Sequence, residues 1–469
     1  MSDDGNGHPL ESERGDAVRA LLAEGTEDEI HMFLAGLSNH ETADLLEVLS
    51  DDERERIFPM LDTRRQAKVL REVENEPARE SLMSVVPDHE LADIVEHVAS
   101  DDAADLVESI PEERRERVLE EVEPEERAAI EELQQYPPET AGGIMQKELI
   151  KVRLDHTVAQ AIEQIRSDWD SKIGDVFDIY VVDAEDHVLG RVRNRHLVIH
   201  RPETKISEVM VKGVRTVPIT MDQEKIAEIV QDYDLPSVAV VDAQDRLVGR
   251  ILVDDIVDVM EQEATEDMHK LGGMEALGES YLHVDLMGMV RKRAGWLAVL
   301  FVGETLTASA MSHYQAEIEK ASVLALFLPL IISSGGNSGS QATTLVIRAM
   351  ALGEVRLSDV WRVLGREVIV GLVLGSILAI IGVARILVWQ EWFHLYGDHA
   401  TLIAVTVGLA LVGVVLWGTL GGCLLPFVLR RLGFDPASAS APFVATLVDV
   451  SGLVIYFCVA LYVLRGSLL

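Results

Sequence analysis

The sequence predicts a multidomain membrane protein with four parts: an all-α N-terminal superhelix, an α/β pair of tandem repeats, a connecting helix and a five-helix transmembrane domain. Three observations predict this fold class. Residues 1–284 carry 68 acidic and 29 basic side chains, whereas residues 285–469 carry 11 and 12. One eleven-residue segment occurs twice in the acidic part, and five long apolar segments follow that part. Such a division predicts one half in water and one half in lipid.

Changes of composition place the expected domain boundaries. They are a disordered acidic tail at 1–15, the superhelix at 16–136, the first repeat at 137–203, the second repeat at 204–253, the acidic connecting helix and linker at 254–284, and the membrane domain at 285–469. The tail has no apolar stretch, so we expect no signal peptide and a soluble half in the cytosol.

The charge of the soluble half limits its partners. A formal charge of −39 in residues 1–284 excludes nucleic acid and anionic membrane surfaces and favours cations. The chain has 10 lysines against 31 arginines, a pattern also typical of proteins soluble in concentrated salt. Acidity alone is therefore no evidence for a metal site. Cys423 and Cys458 lie in apolar segments and are too few for a disulfide framework.

Residues 16–135 show a continuous helical pattern with regular breaks. The breaks begin at Ser50, Pro87, Ser100, Pro111 and Pro124. Acids follow these positions, as expected at helix starts, where the helix dipole favours them. Short helices at this spacing predict a small superhelix. Asp101 and Asp105 are four residues apart and would face one way, which makes them candidates for cation contact.

The internal repeat predicts two copies of one α/β unit. VVDAEDHVLGR at 181–191 recurs as VVDAQDRLVGR at 240–250. Each copy predicts a strand, an amphipathic helix, a β-hairpin with a turn at Asp-Ala-x-Asp, and a short helix.

The pair resembles tandem CBS domains, which often bind adenosine nucleotides such as ATP. The family's nucleotide-contacting Ser or Thr before a terminal Asp is changed here. The first copy has Arg193 and His196, and the second has Leu252 with Asp255. These changes argue against nucleotide binding.

The segment after the repeats is an acidic helix. Asp255, Asp258 and Glu266 fall on or near one face, and Glu263 pairs with Asp267 at i,i+4. Like charges at this spacing oppose the helix by a few tenths of a kcal/mol per pair. Salt would screen this repulsion, and a bridging divalent cation would reverse it.

Five apolar segments are long enough to cross a bilayer. They are Ala294–Met311, Ala321–Ala351, Val368–Gln390, Thr401–Leu429 and Ala441–Leu464. Arginines and lysines cluster before the first segment, between the second and third, and between the fourth and fifth. The positive-inside rule then places the soluble half in the cytoplasm and the C-terminus outside, in the plasma membrane. Five spans rarely enclose a pathway, so we expect a symmetric dimer.

Polar side chains inside the spans mark candidate pathway residues. Asp449 is the one charged residue within its apolar segment and costs at least about 2.5 kcal/mol at that depth. It predicts an ion pathway, against the alternative of a protonated or hydrogen-bonded packing residue. Glu304 in the first span is a second buried acid, for pathway or packing. Asp435-Pro436 predicts either a helix cap or a carboxylate at the pore mouth.

The second span contains GGNSGSQ at 335–341. Small residues let helices approach closely, and polar residues at membrane depth line cavities, so both interpretations are open. Asn337 and Gln341 are four apart and share one face.

Together these features resemble the MgtE-type magnesium channels over essentially the whole chain. GGNSGSQ, LPFVLRRLGFDPASASAPFVATLVDVSGLVIY and the linker EATEDMHKLGG carry the resemblance. It implies a homodimer around one cation pathway, with Mg²⁺ held in the pore at Asp449. It also implies Mg²⁺ binding in the cytosolic half, which draws the acidic helix against the CBS and superhelical domains and closes the pore. The matching regulatory positions are Asp101, Asp105, Glu224, Asp234, Asp255, Asp258, Glu263, Glu266 and Asp267. Ala441 departs from members with a polar residue before the proline.

Other functions share parts of this pattern. A CBS-regulated transporter of another divalent cation or of an anion would share the control module, but an anion pathway would favour arginines or helix N-termini in the spans. A membrane-anchored CBS sensor without transport leaves Asp449, Asn337 and Gln341 unexplained. The sequence shows no nucleophile–base pair, phosphate-binding glycine loop or His/Cys metal set, so we expect no enzyme.

Overall fold

The structure is a computed structural model that describes residues 9–73, 75–168, 178–278, 281, 284–465 and 467–468. It separates into two compact units. The N-terminal unit comprises Met1–Glu263 and Glu279–His283, and the membrane unit comprises Ala264–Gly278 and Val284–Leu469. The tail at 1–15, which the sequence predicts to be disordered, is helical from residue 9 onward, because helix α1 begins at Pro9. Residues 1–8 of that tail lie outside the described residues.

Short helices build the first part of the N-terminal unit. Within the described residues they are α1 Pro9–Glu24, α2 Glu27–Ala35, α3 Asn39–Glu47, α4 Asp51–Ile57, α5 Thr63–Glu72, α6 Glu76–Ser84, α7 Asp88–Val95, α8 Ser100–Glu108, α9 Glu112–Glu121 and α10 Pro124–Leu133. Alternate helices pack on each other, with α3 on α5, α5 on α7, α7 on α9 and α8 on α10. This stacking is the predicted superhelix.

Local capping explains why these helices start where they do. Thr26 and Ser38 each form a capping box with a glutamate three residues later. Ser50 forms the same box with Glu53. Ser100 does not cap α8 in this way, because the helix begins at Ser100 itself. The Ser100 amide and hydroxyl both donate to the Glu148 carboxylate, at 3.2 and 2.9 Å. A tertiary contact therefore replaces the local cap.

The repeats form two three-stranded sheets of identical topology. The first repeat contains β1 Lys151–Arg153, α11 Val158–Ser167, β2 Asp178–Val182, β3 Val188–Arg193 and α12 Asn194–Ile199. A short helix, α13 Ile206–Val209, precedes the sheet of the second repeat. This repeat contains β4 Thr216–Pro218, α14 Gln223–Tyr233, β5 Ser237–Val241 and β6 Leu247–Leu252. In each sheet the first strand pairs parallel to the second, and the second pairs antiparallel to the third.

The predicted hairpin turns are confirmed. The Asp183 carboxylate accepts hydrogen bonds from the amides of Glu185 and His187, at 3.0 and 2.9 Å. Asp186 takes a positive φ of 66°, which Asp tolerates better than most residues. Asp242 and Asp245 repeat this arrangement in the second copy.

The short helix expected after the second sheet continues without a break into the connecting helix, α15 Val253–Leu271. Ile256 and Val259 of this helix are buried in the same hydrophobic core as the superhelix and the second repeat. The start of the acidic helix is therefore packed inside the N-terminal unit.

Among the residues that the structure describes, the membrane unit contains five helical segments long and apolar enough to cross a membrane. They are Leu286–His313, Ser322–Ala351, Leu357–Phe393, Ala400–Leu432 and Ala441–Val463. Within them the α-helices are α16 Leu286–His313, α18 Leu328–Ala351, α19 Val360–Phe393, α20 Ala400–Leu432 and α21 Ala441–Val463, and α17 Gln315–Lys320 joins the first two. Each predicted span lies in one of these segments to within one residue, which confirms the five-span prediction.

Glycines bring two helices of this unit into close contact. Helices α18 and α20 touch where Gly335 meets Gly418 and where Gly339 meets Gly422, and a Cβ on Gly422 would overlap the Gly339 carbonyl oxygen. The Thr343 hydroxyl donates to the Gly422 carbonyl at 2.8 Å, across the same seam. Small residues thus bring these backbones together.

Candidate metal centres

Two intramembrane acids lie together in the membrane unit. Asp449 on α21 is half-buried, and Glu304 on α16 is its charged neighbour. Helix α16 packs against α21, where the Trp296 indole donates to the Ser440 hydroxyl at 3.1 Å. The two acids are therefore neighbours within one protomer, but Glu304, which the sequence predicted to be buried, is exposed there.

The glycine-rich segment has two faces with different surroundings. Gly335, Ser338 and Gly339 are buried against α20 and α21, as the packing interpretation expects. Asn337 and Gln341 are exposed on the other side of α18. A single protomer therefore leaves a polar stripe at membrane depth uncovered.

Asp435 caps the turn that leads into α21. Its Oδ1 accepts a hydrogen bond from the Ala437 amide at 2.8 Å, so the helix-cap interpretation is confirmed. Its Oδ2 pairs with the Lys270 ammonium at 2.7 Å, and Lys270 also pairs with Glu266. Burial and the nearby Asp435 carboxylate raise the pKa of Asp267. The end of the acidic helix thus places Glu266 and Asp267 beside Asp435.

A second acidic centre lies in the N-terminal unit, between α8 and the start of α15. Asp101 is only 8% exposed, and its Oδ1 has no hydrogen-bond partner among the described residues. Burial raises its pKa well above the ordinary range, and the charges of Asp102 and Asp255 raise it further. Glu148 adds to the same repulsion. Several carboxylates therefore crowd one largely buried point.

Two neighbouring acids also have raised pKa values. Burial raises the pKa of Asp102 to about 6, although Arg71 at 3.5 Å lowers it. Burial and Asp254 raise the pKa of Asp255 to about 7. The Leu252 amide donates to the Asp255 carboxylate at 3.1 Å, which holds this side chain in place. A cation that replaced protons here would relieve the repulsion.

These residues fit a divalent cation. Mg²⁺ takes oxygen ligands and is commonly held by one or two carboxylates with retained waters. The unpartnered Asp101 oxygen and the nearby Asp255 carboxylate supply such ligands. The Arg250 side chain is 2% exposed and contributes positive charge to the same region, so the acids are only partly compensated.

The remaining predicted regulatory acids are more dispersed. Asp105 is exposed and has Glu108 and Arg79 as charged neighbours. Glu224 and Asp234 lie at opposite ends of α14, roughly 15 Å apart along its axis.

Two predicted acids of the connecting helix have different neighbours. Asp258 is exposed on α15 and shares Arg71 as a charged neighbour with Asp102. Glu263 accepts a hydrogen bond from the side-chain NH₂ group of Gln223 at 2.7 Å, which places it at the start of α14. The structure therefore groups Asp101 with Asp255, while Asp105 is exposed and lies near the cluster only through Asp102.

Sequence reasoning missed four members of the cluster around Asp101. Asp102 directly follows Asp101 and could have been included from the SDDAAD pattern. Glu148, Arg71 and Arg250 reach the cluster from distant segments, and no local pattern marks them.

Known protein families match several parts of this chain. A family model described as a divalent cation transporter, MgtE, matches residues 328–459, the MgtE intracellular N domain matches residues 15–139, and a CBS domain matches residues 206–262. The crystal structure of the soluble part of a magnesium transporter is 27% identical, with a TM-score of 0.49, and covers 54% of this chain and 99% of that chain. The cytosolic domain of the Mg²⁺ channel MgtE in complex with ATP is 28% identical, with a TM-score of 0.49, over 52% and 99%.

The similar relatives include proteins named magnesium transporter MgtE. The protein from Thermus thermophilus is 38% identical over 344 residues, which are 73% of this chain and 74% of the relative. The protein from Enterococcus faecalis is 34% identical over 344 residues, 73% of each chain. These relatives extend over both the soluble and the membrane parts. The chain therefore belongs to the MgtE family of magnesium transporters.

Proposed function

We propose that this protein is a homodimeric, magnesium-selective channel or transporter of the plasma membrane, closed by Mg²⁺ from the cytosolic side. The observation that carries the proposal is Asp449, a carboxylate within an apolar membrane helix and beside a second acid, Glu304. An acid at that depth is costly in lipid and is usually retained for an ion or a water-filled path.

The chemistry of Mg²⁺ supports Asp449 as the ligand of the transported ion. Mg²⁺ dehydrates reluctantly and usually keeps several waters when carboxylates bind it. Two symmetry-related Asp449 carboxylates would hold the hydrated ion without stripping it. This arrangement favours divalent cations over monovalent ones by charge.

The polar face of α18 supports a dimer. Asn337 and Gln341 are exposed in one protomer, and water or a second copy must satisfy them at membrane depth. A two-fold axis beside this face would line one shared path with both copies.

Cysteine cross-linking tests the dimer. After Cys423 and Cys458 are replaced, Asn337→Cys should give a cross-linked dimer in membranes. Ile380→Cys, 68% exposed on α19, is the matched control and should stay monomeric. Monomer at residue 337 and at neighbouring positions of the same face would contradict the dimer.

We propose that the acidic helix and the cluster around Asp101 form the sensor. At low Mg²⁺ the crowded carboxylates repel one another, and at high Mg²⁺ bridging ions stabilise the compact, closed state. The soluble half would then lie in the cytoplasm and the C-terminus outside, as the distribution of basic residues predicts. Closure at high cytosolic Mg²⁺ is negative feedback.

A paired experiment tests the sensor. Replacing Glu263, Glu266 and Asp267 with Ala should raise the Mg²⁺ concentration needed for closure, measured by channel recording in reconstituted bilayers. Replacing the surface acids Glu112, Glu113 and Glu116 should leave it unchanged. Equal shifts in both variants would show that diffuse surface charge, rather than these sites, senses Mg²⁺.

Two further assignments are candidates only. Recording with Mn²⁺, Co²⁺ and Ca²⁺ in turn separates a magnesium pathway from one for another divalent cation. ATP is a second candidate ligand for the CBS pair, where the buried Nδ1 of His196 has no partner in the described part of the chain. Loss of ATP binding in His196→Ala would support that site, and absence of binding by the wild type would remove it.

A further inference from the structure

A cavity beside the first repeat has a chemistry opposite to that of the rest of the soluble half. It encloses about 490 Å³ between the edge strand β1, helix α11 and the hairpin turn of the first repeat. Lys147, Lys151, Arg153 and His156 line it, with Gln164 as a further donor. Three permanent cations around one cavity stand out in a region with a formal charge of −39.

Two of the positive groups share one acid, and the third pairs with an acid outside the lining. Asp186 serves two of them: the Lys151 ammonium donates to it at 3.2 Å, and the Arg153 Nη1 lies 3.9 Å from it, beyond hydrogen-bonding range. Lys147 pairs with Glu132 outside the lining. The lining itself contains three cations against two carboxylates, Asp186 and Asp168.

Two nitrogen atoms at this cavity are buried and unpartnered. Arg153 Nη1 and His156 Nδ1 have no hydrogen-bond partner among the described residues. A guanidinium group can only donate, so Arg153 requires an acceptor. Buried polar groups are normally satisfied by protein or bound molecules, which makes the unmet donor an indication of a ligand.

We propose that this cavity binds a small phosphate-bearing molecule. Lysine and arginine together favour phosphate oxygens, which accept several charge-assisted hydrogen bonds at once. The volume lies within the range of small-molecule sites and exceeds the size of a single phosphate ion. The ligand is thus a diphosphate or a phosphate ester. The site is separate from the acidic cluster around Asp101 and does not depend on the proposed Mg²⁺ pathway.

Calorimetry on the full chain in detergent micelles tests the site. The probes are inorganic pyrophosphate and ADP, each titrated without Mg²⁺ in the presence of a chelator. We expect pyrophosphate to bind the wild type and Arg153→Met to weaken binding about tenfold or more. The control Arg166→Met removes an exposed arginine of the same repeat that pairs with Glu163, and should change nothing.

Two additional variants keep the test decisive. Gln164→Phe fills the cavity from α11 and should abolish binding even if Arg153→Met fails to fold. His196→Ala should leave pyrophosphate binding intact. The proposal is overturned if the wild type binds neither probe, if Arg153→Met and Gln164→Phe bind normally, or if Arg166→Met loses as much affinity as Arg153→Met. Binding of ADP alone, lost in His196→Ala, would also overturn it, because the nucleotide would then occupy a different place on the CBS pair.

Discussion

Replacing Asp255 with Asn should stabilise the Mg²⁺-free protein. The pKa of this carboxyl is raised from 3.8 to about 7, through burial and through the charge of Asp254. The shift is about three pH units, and each unit corresponds to about 1.4 kcal/mol. Above neutral pH, ionisation of Asp255 therefore lowers the free energy of unfolding of the Mg²⁺-free protein by on the order of 4 kcal/mol.

The expected gain is smaller than this cost, because the nearby acids share one repulsion. We expect Asp255→Asn to add about 2–4 kcal/mol to the free energy of unfolding, a rise in Tm of about 5–10 °C. Asn keeps an oxygen for the Leu252 amide, which now donates at 3.1 Å to the carboxylate. Its NH₂ group can donate to a neighbouring carboxylate such as Asp101.

Thermal unfolding of the full chain in micelles at about pH 8, where the acids are ionised, measures this effect. Each variant is melted with a chelator and again with millimolar Mg²⁺. Mg²⁺ should raise the Tm of the wild type, and Asp255→Asn should reduce this increment. Glu112→Gln, in the exposed first turn of α9, is the control and should differ little from the wild type. A lower Tm for Asp255→Asn in chelator, or an equal rise in the control, would refute the electrostatic account.

Three further predictions concern pH, an ion pair and a helix contact. Without Mg²⁺ the Tm should fall as the pH rises from about 4 to about 7. In the folded protein the pKa of Asp102 is raised to about 6 and that of Asp255 to about 7, above the unfolded value of 3.8. The stability present below that value is therefore lost as these two groups ionise. Lys270→Met should speed amide exchange at the end of α15 about fivefold, since a half-exposed pair is worth up to about 1 kcal/mol. Gly422→Ala should lower the Tm of the membrane unit, because overpacking reduces the free energy of unfolding by about 1–3 kcal/mol or more. Gly421→Ala, with open space around it, should leave the Tm unchanged.

Local and periodic features of the fold were predictable from sequence. The Asp-Ala-x-Asp turns follow from one side chain bonding its own backbone, as Asp183 does, and need no distant partner. The spans follow from length and hydropathy. The start of α1 at Pro9 was missed because the acidic, polar tail has a composition typical of disorder.

Tertiary contacts limited the prediction of the site. Asp101 and Asp105 share a helix and a spacing of four, yet one is buried near Asp255 and the other is exposed beside Arg79. Only packing against a distant segment distinguishes them. The two interpretations of residues 335–341 also needed the structure, because the glycines and the polar side chains of this segment occupy different faces of α18.

The central claim is that Asp449 holds the transported ion, and Mg²⁺ uptake into liposomes tests it most directly. The protein is reconstituted into liposomes that enclose a Mg²⁺-sensitive dye. The wild type is compared with Asp449→Asn and with Glu367→Gln, which neutralises another acid of the membrane helices. The account predicts that uptake by Asp449→Asn falls to the level of empty liposomes, while Glu367→Gln transports and all three proteins fold and incorporate equally. Uptake by Asp449→Asn at the wild-type rate would contradict it.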